Sequence, residues 1–110
     1  MSSETSLTSI YVIGPAEGPY KIGYSGNPSH RLSTLQVGTT DFLHLHYREE
    51  TETSKAKVIE KLIHRQLGHK RIRGEWFNVT LDEAISEVKF AFIRWEDELA
   101  LEFRFKRRLL

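Results

Sequence analysis

Short β-type runs separated by turn formers fill the first half of the chain, and apolar residues at helical spacing fill the second. Ile10-Tyr11-Val12-Ile13 and Tyr20-Lys21-Ile22-Gly23-Tyr24 are rich in β-branched and aromatic residues. Gly14 to Pro19 between them suits neither a helix nor a strand, so the pair predicts a β-hairpin. Alternation places Tyr20, Ile22 and Tyr24 on one face of the second run and Lys21 on the other. If that alternation is strict, Tyr24 is core and Lys21 is free for chemistry. Asn27-Pro28 predicts a helix start, with Asn27 as N-cap and Pro28 at the first helical position, followed by Arg31, Leu32 and Leu35. Gln36 to Thr40 reads as a turn. Asp41 to Arg48 alternates as a strand, with Leu43, Leu45 and Tyr47 on one face and Phe42, His44 and His46 on the other. Glu49 to Thr53 reads as an acidic loop ending in a cap at Thr53.

Ser54 to Gly68 carries the clearest helical stripe: Val58, Ile59, Leu62, Ile63 and Leu67. Glu60 and His64, one turn apart, sit just off its edge, where a carboxylate can line a cleft while its stem is fixed by packing. Gly68 ends the helix, His69 to Gly74 reads as a basic loop, and Glu75 to Val79 as a short strand. A last helix begins at Thr80 or Asp82 and repeats Leu81, Ala84, Ile85, Val88, Phe92, Trp95 and Leu99. Phe90, Leu101 and Phe105 fall on another side of it, an apolar set that predicts a homodimer through this helix. The expected class is α+β: a small antiparallel β-sheet flanked by helices, with a long C-terminal helix. Residues 1–8 are expected to be a flexible N-terminus, 9–79 the core and 80–110 the helix packed on it.

With 110 residues the chain forms one small domain, and without cysteine it has neither disulfides nor thiolate metal sites. That usage, the lack of a signal-like N-terminus and the lack of any run long enough to span a membrane suggest a cytoplasmic protein. The net charge of +1 is uninformative about partners, but its distribution is uneven. Lys61, Arg65, Lys70, Arg71 and Arg73 form a basic tract without an acid among them, and Arg104, Lys106, Arg107 and Arg108 form another. Such tracts are compatible with a phosphate backbone. His44 and His46 have metal-ligand spacing but no third ligand nearby in sequence, so they read as a half-exposed strand face.

Ser9-Ile10-Tyr11, Lys21-Ile22-Gly23, Arg31 on the next helix and Glu60 on a later one follow the order and spacing of the GIY-YIG nuclease domain, which the chain resembles from Ser9 to Val79. Glu60-Lys61-Leu62-Ile63-His64 and Gly74-Glu75-Trp76-Phe77 resemble the phage-type branch with Lys-Ile-Gly in the second motif, a setting of phages or mobile elements. Two positions depart from the family pattern: Ser9 replaces the first motif's glycine and Lys21 the second motif's tyrosine.

The resemblance implies a DNA endonuclease that uses Mg²⁺ or Mn²⁺ and attacks with water. Under it Tyr11 helps to deprotonate the water, and Lys21 favours the phenolate, whose formation at neutral pH otherwise costs ~4 kcal/mol. Arg31 binds the scissile phosphate, Glu60 holds the metal, and His64 is a proton donor or a partner of the ligand. Tyr24, Lys70, Arg71, Arg73 and Asn78 are expected to meet substrate. The family's late asparagine matches Asn78, with Glu75 as the alternative. RNA as substrate, and a non-cleaving binding module on the same fold, remain open at this level.

Overall fold

The central strands of the sheet are those of the expected hairpin. In the computed structural model, which describes residues 6–108, β1 (Leu7–Gly14) pairs antiparallel with β2 (Tyr20–Ser25). A third strand, β3 (His44–Glu52), flanks β1, while β5 (Trp76–Phe77) and then β4 (Arg71–Arg73) flank β2. The sheet order is β3-β1-β2-β5-β4 and each pairing is antiparallel. Three helices complete the α+β fold: α1 (Pro28–Val37), α2 (Thr53–Gln66) and α3 (Leu81–Arg108). Among the described residues no helix is long and apolar enough to cross a membrane.

Several boundaries move from their expected places. β1 starts at Leu7, inside the segment expected to be flexible, because Leu7 and Thr8 pair with Glu52 and Thr51. The expected acidic loop at Glu49–Thr53 is the second half of β3. β1 lies inside the sheet, so its outer edge needs backbone partners along its whole length, and Glu49 and Glu50 supply them opposite Ile10 and Ser9. Thr53 opens α2, with Glu52 at the cap position; the Thr53 hydroxyl ties instead to Thr8 at 2.8 Å and to Ser6 at 3.0 Å. The expected basic loop is a 3-10 turn at Gly68–Lys70 followed by β4, which pairs with β5.

Two caps follow from local sequence. Asn27 Oδ1 accepts the His30 N–H at 3.1 Å ahead of Pro28 in α1. Thr80 and Glu83 exchange bonds in a capping box at the start of α3: the Thr80 hydroxyl accepts the Glu83 N–H, and Glu83 Oε1 accepts the Thr80 N–H.

The sheet separates two cores. On one face Ile10, Val12, Tyr20, Ile22 and Phe77 pack against Ile59, Leu62 and Ile63 of α2 and Ala84, Val88 and Ala91 of α3. On the other, Tyr11, Ile13 and Leu43 pack with Leu32 and Leu35 of α1 and with Trp76. β3 contributes to both. Its register against β1 slips between Val12 and Ile13, so that Tyr47 opposes Val12 and Leu45 opposes Ile13. This bulge sends Tyr47 to the first core and Leu45 to the second, although simple alternation had put them on one face. His46, the extra residue, bonds the Gly14 carbonyl at 3.0 Å, edge-on to the Tyr20 ring.

Ala84, Val88 and Ala91 form the buried line of α3, and Leu81, Phe92 and Trp95 pack beside it. Phe90 and Ile93, on the opposite side of the helix, are 43% and 76% exposed. The side chains of Leu101 and Phe105, the rest of the expected apolar set, lie outside the described residues.

Candidate active site

The site forms where the sheet parts. β5 pairs with β2 only at Tyr20 and Lys21, so the next residue, Ile22, must find other partners on that side. Its N–H donates to the Glu75 carbonyl at 3.0 Å, and its carbonyl accepts from His64 Nε2 at 2.7 Å. One peptide segment of β2 is thereby tied both to the turn before β5 and to α2. The turn depends on Gly74, whose φ of +54° is a left-handed value that a side chain disfavours. Glu75 follows directly and is aimed back over β2.

Four side chains meet there. Lys21 Nζ pairs with Glu75 Oε1 at 2.9 Å and lies 5.9 Å from the centroid of the Trp76 ring. The carboxyl groups of Glu75 and Glu60 lie close enough to act on each other's ionisation. Glu60, His64 and Glu75 each offer a donor atom, all within 4.8 Å of one another, and theirs is the group of metal-ligand type among the described residues. Glu60 Oε2 is buried with no hydrogen-bond partner. A buried acceptor without a donor is costly and calls for an explanation.

Tyr11 completes the cluster from β1. Its cross-strand partner is Gly23, where a Cβ would come within 2.6 Å of the phenol oxygen and 2.9 Å of Glu75 Oε1. The glycine of the Lys-Ile-Gly motif therefore leaves the space that the phenol and the carboxylate fill. Arg31, exposed on the first turn of α1, is near enough to act on the phenol electrostatically.

Charge states follow from this packing. Burial, together with the adjacent Glu75, pushes the Glu60 carboxyl up to about 7. Burial opposes ionisation of Glu75 as well, but the Lys21 ammonium outweighs it and holds that carboxyl below its ordinary value. Burial lowers His64, so it is neutral near pH 7; its Nε2–H is used on Ile22, which leaves Nδ1 with a lone pair. Burial, with Glu75 and Glu60 adding to it and Arg31 opposing, pushes Tyr11 up to about 12. Lys21 was expected to favour the phenolate. Instead its charge is spent on Glu75, and the carboxylate it holds disfavours the phenolate. His64, expected as a proton donor or a partner of the ligand, has its one proton committed to a backbone carbonyl.

The other expected contacts divide. Tyr24 is 38% exposed at the end of β2, not in the core that strict alternation assigned to it. Lys70 pairs with Glu83 at 3.0 Å. Asn78 is exposed and its N–H donates to the Lys70 carbonyl, so of the two alternatives it is Glu75 that joins the cluster. The register of β4 slips between Arg71 and Arg73 and sends them to different clefts. Arg71 lies over the Phe77 ring and lines a groove of about 590 Å³ with Glu60, His64, Lys57, Lys61 and Arg65. Arg73 lines a cleft of about 430 Å³ with Trp76, on the side of α1. Lys57 was missed in the sequence, where it is one lysine of many.

No curated protein and no solved structure matches the chain. The model of the T5orf172 domain matches residues 8–95, from the start of β1 into α3, and the chain belongs to this family, a domain found in phage and mobile-element nucleases.

Proposed function

We propose that this chain is a metal-dependent endonuclease of GIY-YIG type that hydrolyses DNA phosphodiester bonds with water as nucleophile. The observation that carries the reading is the orphaned, buried Glu60 Oε2 inside the cluster with His64 and Glu75. Two carboxylates and a neutral imidazole with a free lone pair fit a small divalent cation, and a cation would satisfy the oxygen that nothing else meets. Glu60, Glu75 and His64 would hold Mg²⁺ or Mn²⁺; when bound it supplies Lewis acidity toward the scissile phosphate and offsets the clustered carboxylate charge.

The chain's own residues supply the rest. Arg31 presents a planar fork of donors to the scissile phosphate and offsets charge developing there. Lys21 holds Glu75 in place with one N–H and keeps others for a phosphate oxygen. Tyr11 enters as a neutral phenol and positions the attacking water by a hydrogen bond. Its phenolate is present at neutral pH in only roughly one molecule in 10⁵ in the cation-free site. The basic groove along α2, with Lys57 and Arg71 beside Glu60 and His64, suits the phosphates that flank the cut. Membership of a family found in nucleases supports the same reading.

The test is to incubate the chain with single- and double-stranded DNA, and with RNA of the same sequence, in Mg²⁺ or Mn²⁺ and in chelator. Cleavage of DNA should require the cation and fall by orders of magnitude in Glu60→Gln. Undiminished cleavage in chelator or in purified Glu60→Gln would sink the assignment, and binding without any cleavage would leave a non-cleaving module.

A further inference from the structure

Two clefts flank the Lys21–Glu75 pair, and their chemistry differs. The groove along α2 is strongly basic. The cleft on the side of α1 is walled by Trp76, Leu35, Leu43 and Pro15, and its rim carries one cation, Arg73, and one anion, Asp41. Unlike that groove, it offers a single cation balanced by a carboxylate and so has little net attraction for a phosphate. Aromatic and aliphatic walls interspersed with the polar groups of Arg73, Asp41, Thr34 and Thr39 suit a neutral, planar, hydrogen-bonding molecule. A volume of about 430 Å³ is within the range of small-ligand sites and ample for one nucleobase.

The cleft adjoins the candidate active site through Trp76. Trp76 forms its wall and also neighbours the Lys21 ammonium, 5.9 Å from the ring centroid. Thr34 and Leu35 line it from α1, three and four residues after Arg31, and so share a helix face with the guanidinium proposed to hold the scissile phosphate. A strand whose phosphate rests at Arg31 and Lys21 has its neighbouring base within reach of Trp76. In a paired duplex that base is stacked and hydrogen-bonded inside the helix and cannot enter.

We propose that this cleft receives one unpaired nucleobase of the substrate strand, stacked on Trp76, so that the enzyme acts on single-stranded or locally opened DNA. The inference rests on the nuclease reading for its substrate class, but its test reads binding, not cleavage.

In chelator, the full chain is titrated with a single-stranded deoxyoligonucleotide, with its blunt duplex, and with single strands carrying one abasic residue at each position in turn. The single strand should bind at least tenfold more tightly than the duplex, and loss of the base at one position should weaken binding about tenfold or more. Thr34→Trp, on an exposed position of α1, fills the cleft and should remove the single-strand preference. Trp76→Phe should keep it, while Trp76→Leu, shown by its melting curve to be folded at the assay temperature, should lose it. An abasic scan that is flat at every position overturns the proposal, and so does unchanged single-strand binding by Thr34→Trp. These outcomes separate from those of the nuclease reading: base-dependent binding without cleavage keeps the cleft and removes the enzyme, and cleavage with a flat scan does the reverse.

Discussion

Tyr11 and Gly23 face each other across β1 and β2, and the absent Cβ of Gly23 is what gives the Tyr11 hydroxyl its place beside Glu75. The glycine is needed here for space and not for a special backbone angle. Gly23→Ala would put a methyl carbon 2.6 Å from the phenol oxygen and 2.9 Å from the carboxylate. Tyr11 is 1% exposed and has little room to retreat, so the Glu75 side chain gives way first and leaves Lys21. We expect a folded variant destabilised by about 1–3 kcal/mol, as for other overpacked interiors. Its cleavage should fall much further than that loss of stability explains. Thermal melting beside a turnover assay checks this, and a variant with wild-type turnover would show that the close approach of phenol and carboxylate is dispensable.

Glu60 makes the cation-free protein sensitive to pH in a direction opposite to that of an ordinary surface carboxylate. Its folded value of about 7 lies above the 4.5 of an unperturbed glutamate, so between these values the folded state binds more protons than the unfolded one. Stability from this group is fully present below pH 4.5 and is lost as pH rises toward 7. Glu75, with its folded value lowered, contributes in the opposite sense at more acidic pH. Melting curves in chelator should therefore show wild type losing midpoint between pH 4.5 and 7 relative to Glu60→Gln, which has no charge to bury. Parallel curves for the two proteins would remove the claim.

How much of this could be read in the sequence depends on whether the information was local. The hairpin, the Asn27–Pro28 start of α1 and the stripe of α2 rest on neighbours within one turn or one strand, and they appear in the structure. The bulges did not show. The slip that separates Tyr47 from Leu45 is created by pairing with Val12 and Ile13, some thirty residues away, and the one that separates Arg71 from Arg73 is created by β5. Strict alternation misplaced Tyr24 for a related reason: beyond Lys21 the strand has no partner in β5, and its end turns to solvent. In the site, Tyr11, Lys21, Glu60 and His64 were visible through the order of motifs. Glu75 was not separable from Asn78, because what selects it is the left-handed turn at Gly74 together with the bond from the Ile22 N–H, a partner some fifty residues away that the local sequence does not reveal.

The outer face of α3 leads to an expectation about assembly. Phe90 and Ile93 project opposite the buried Ala84, Val88 and Ala91 line, with the Arg94 guanidinium over the Phe90 ring at 5.4 Å. Large apolar groups on one exposed helix face suit a two-fold contact between copies of the chain. Light scattering should then give a dimer for wild type and a folded monomer for Phe90→Ser with Ile93→Ser. A wild-type chain that runs as a monomer at high concentration would end the idea.

Arg31 and Arg71 are both cations near the cluster, but their surroundings assign them different work. Arg31 lies on the Tyr11 side, close enough to oppose the rise in the phenol's pKa, whereas Arg71 lies over Phe77 in the groove along α2. If Arg31 offsets charge in the transition state, Arg31→Ala should lose roughly 10²–10³ in turnover at saturating DNA. Arg71→Ala should leave turnover nearly unchanged at saturation. It should weaken binding instead and reduce the slope of log affinity against log salt by about one phosphate contact. Both variants replace exposed side chains, so neither should shift the thermal midpoint by more than about 0.5 kcal/mol in stability. The decisive comparison is turnover at saturation and binding across a salt series, measured on both proteins with one DNA. Equal losses of turnover would mean that Arg31 attracts substrate as any surface cation does, and would take the phosphate-stabilising role away from it.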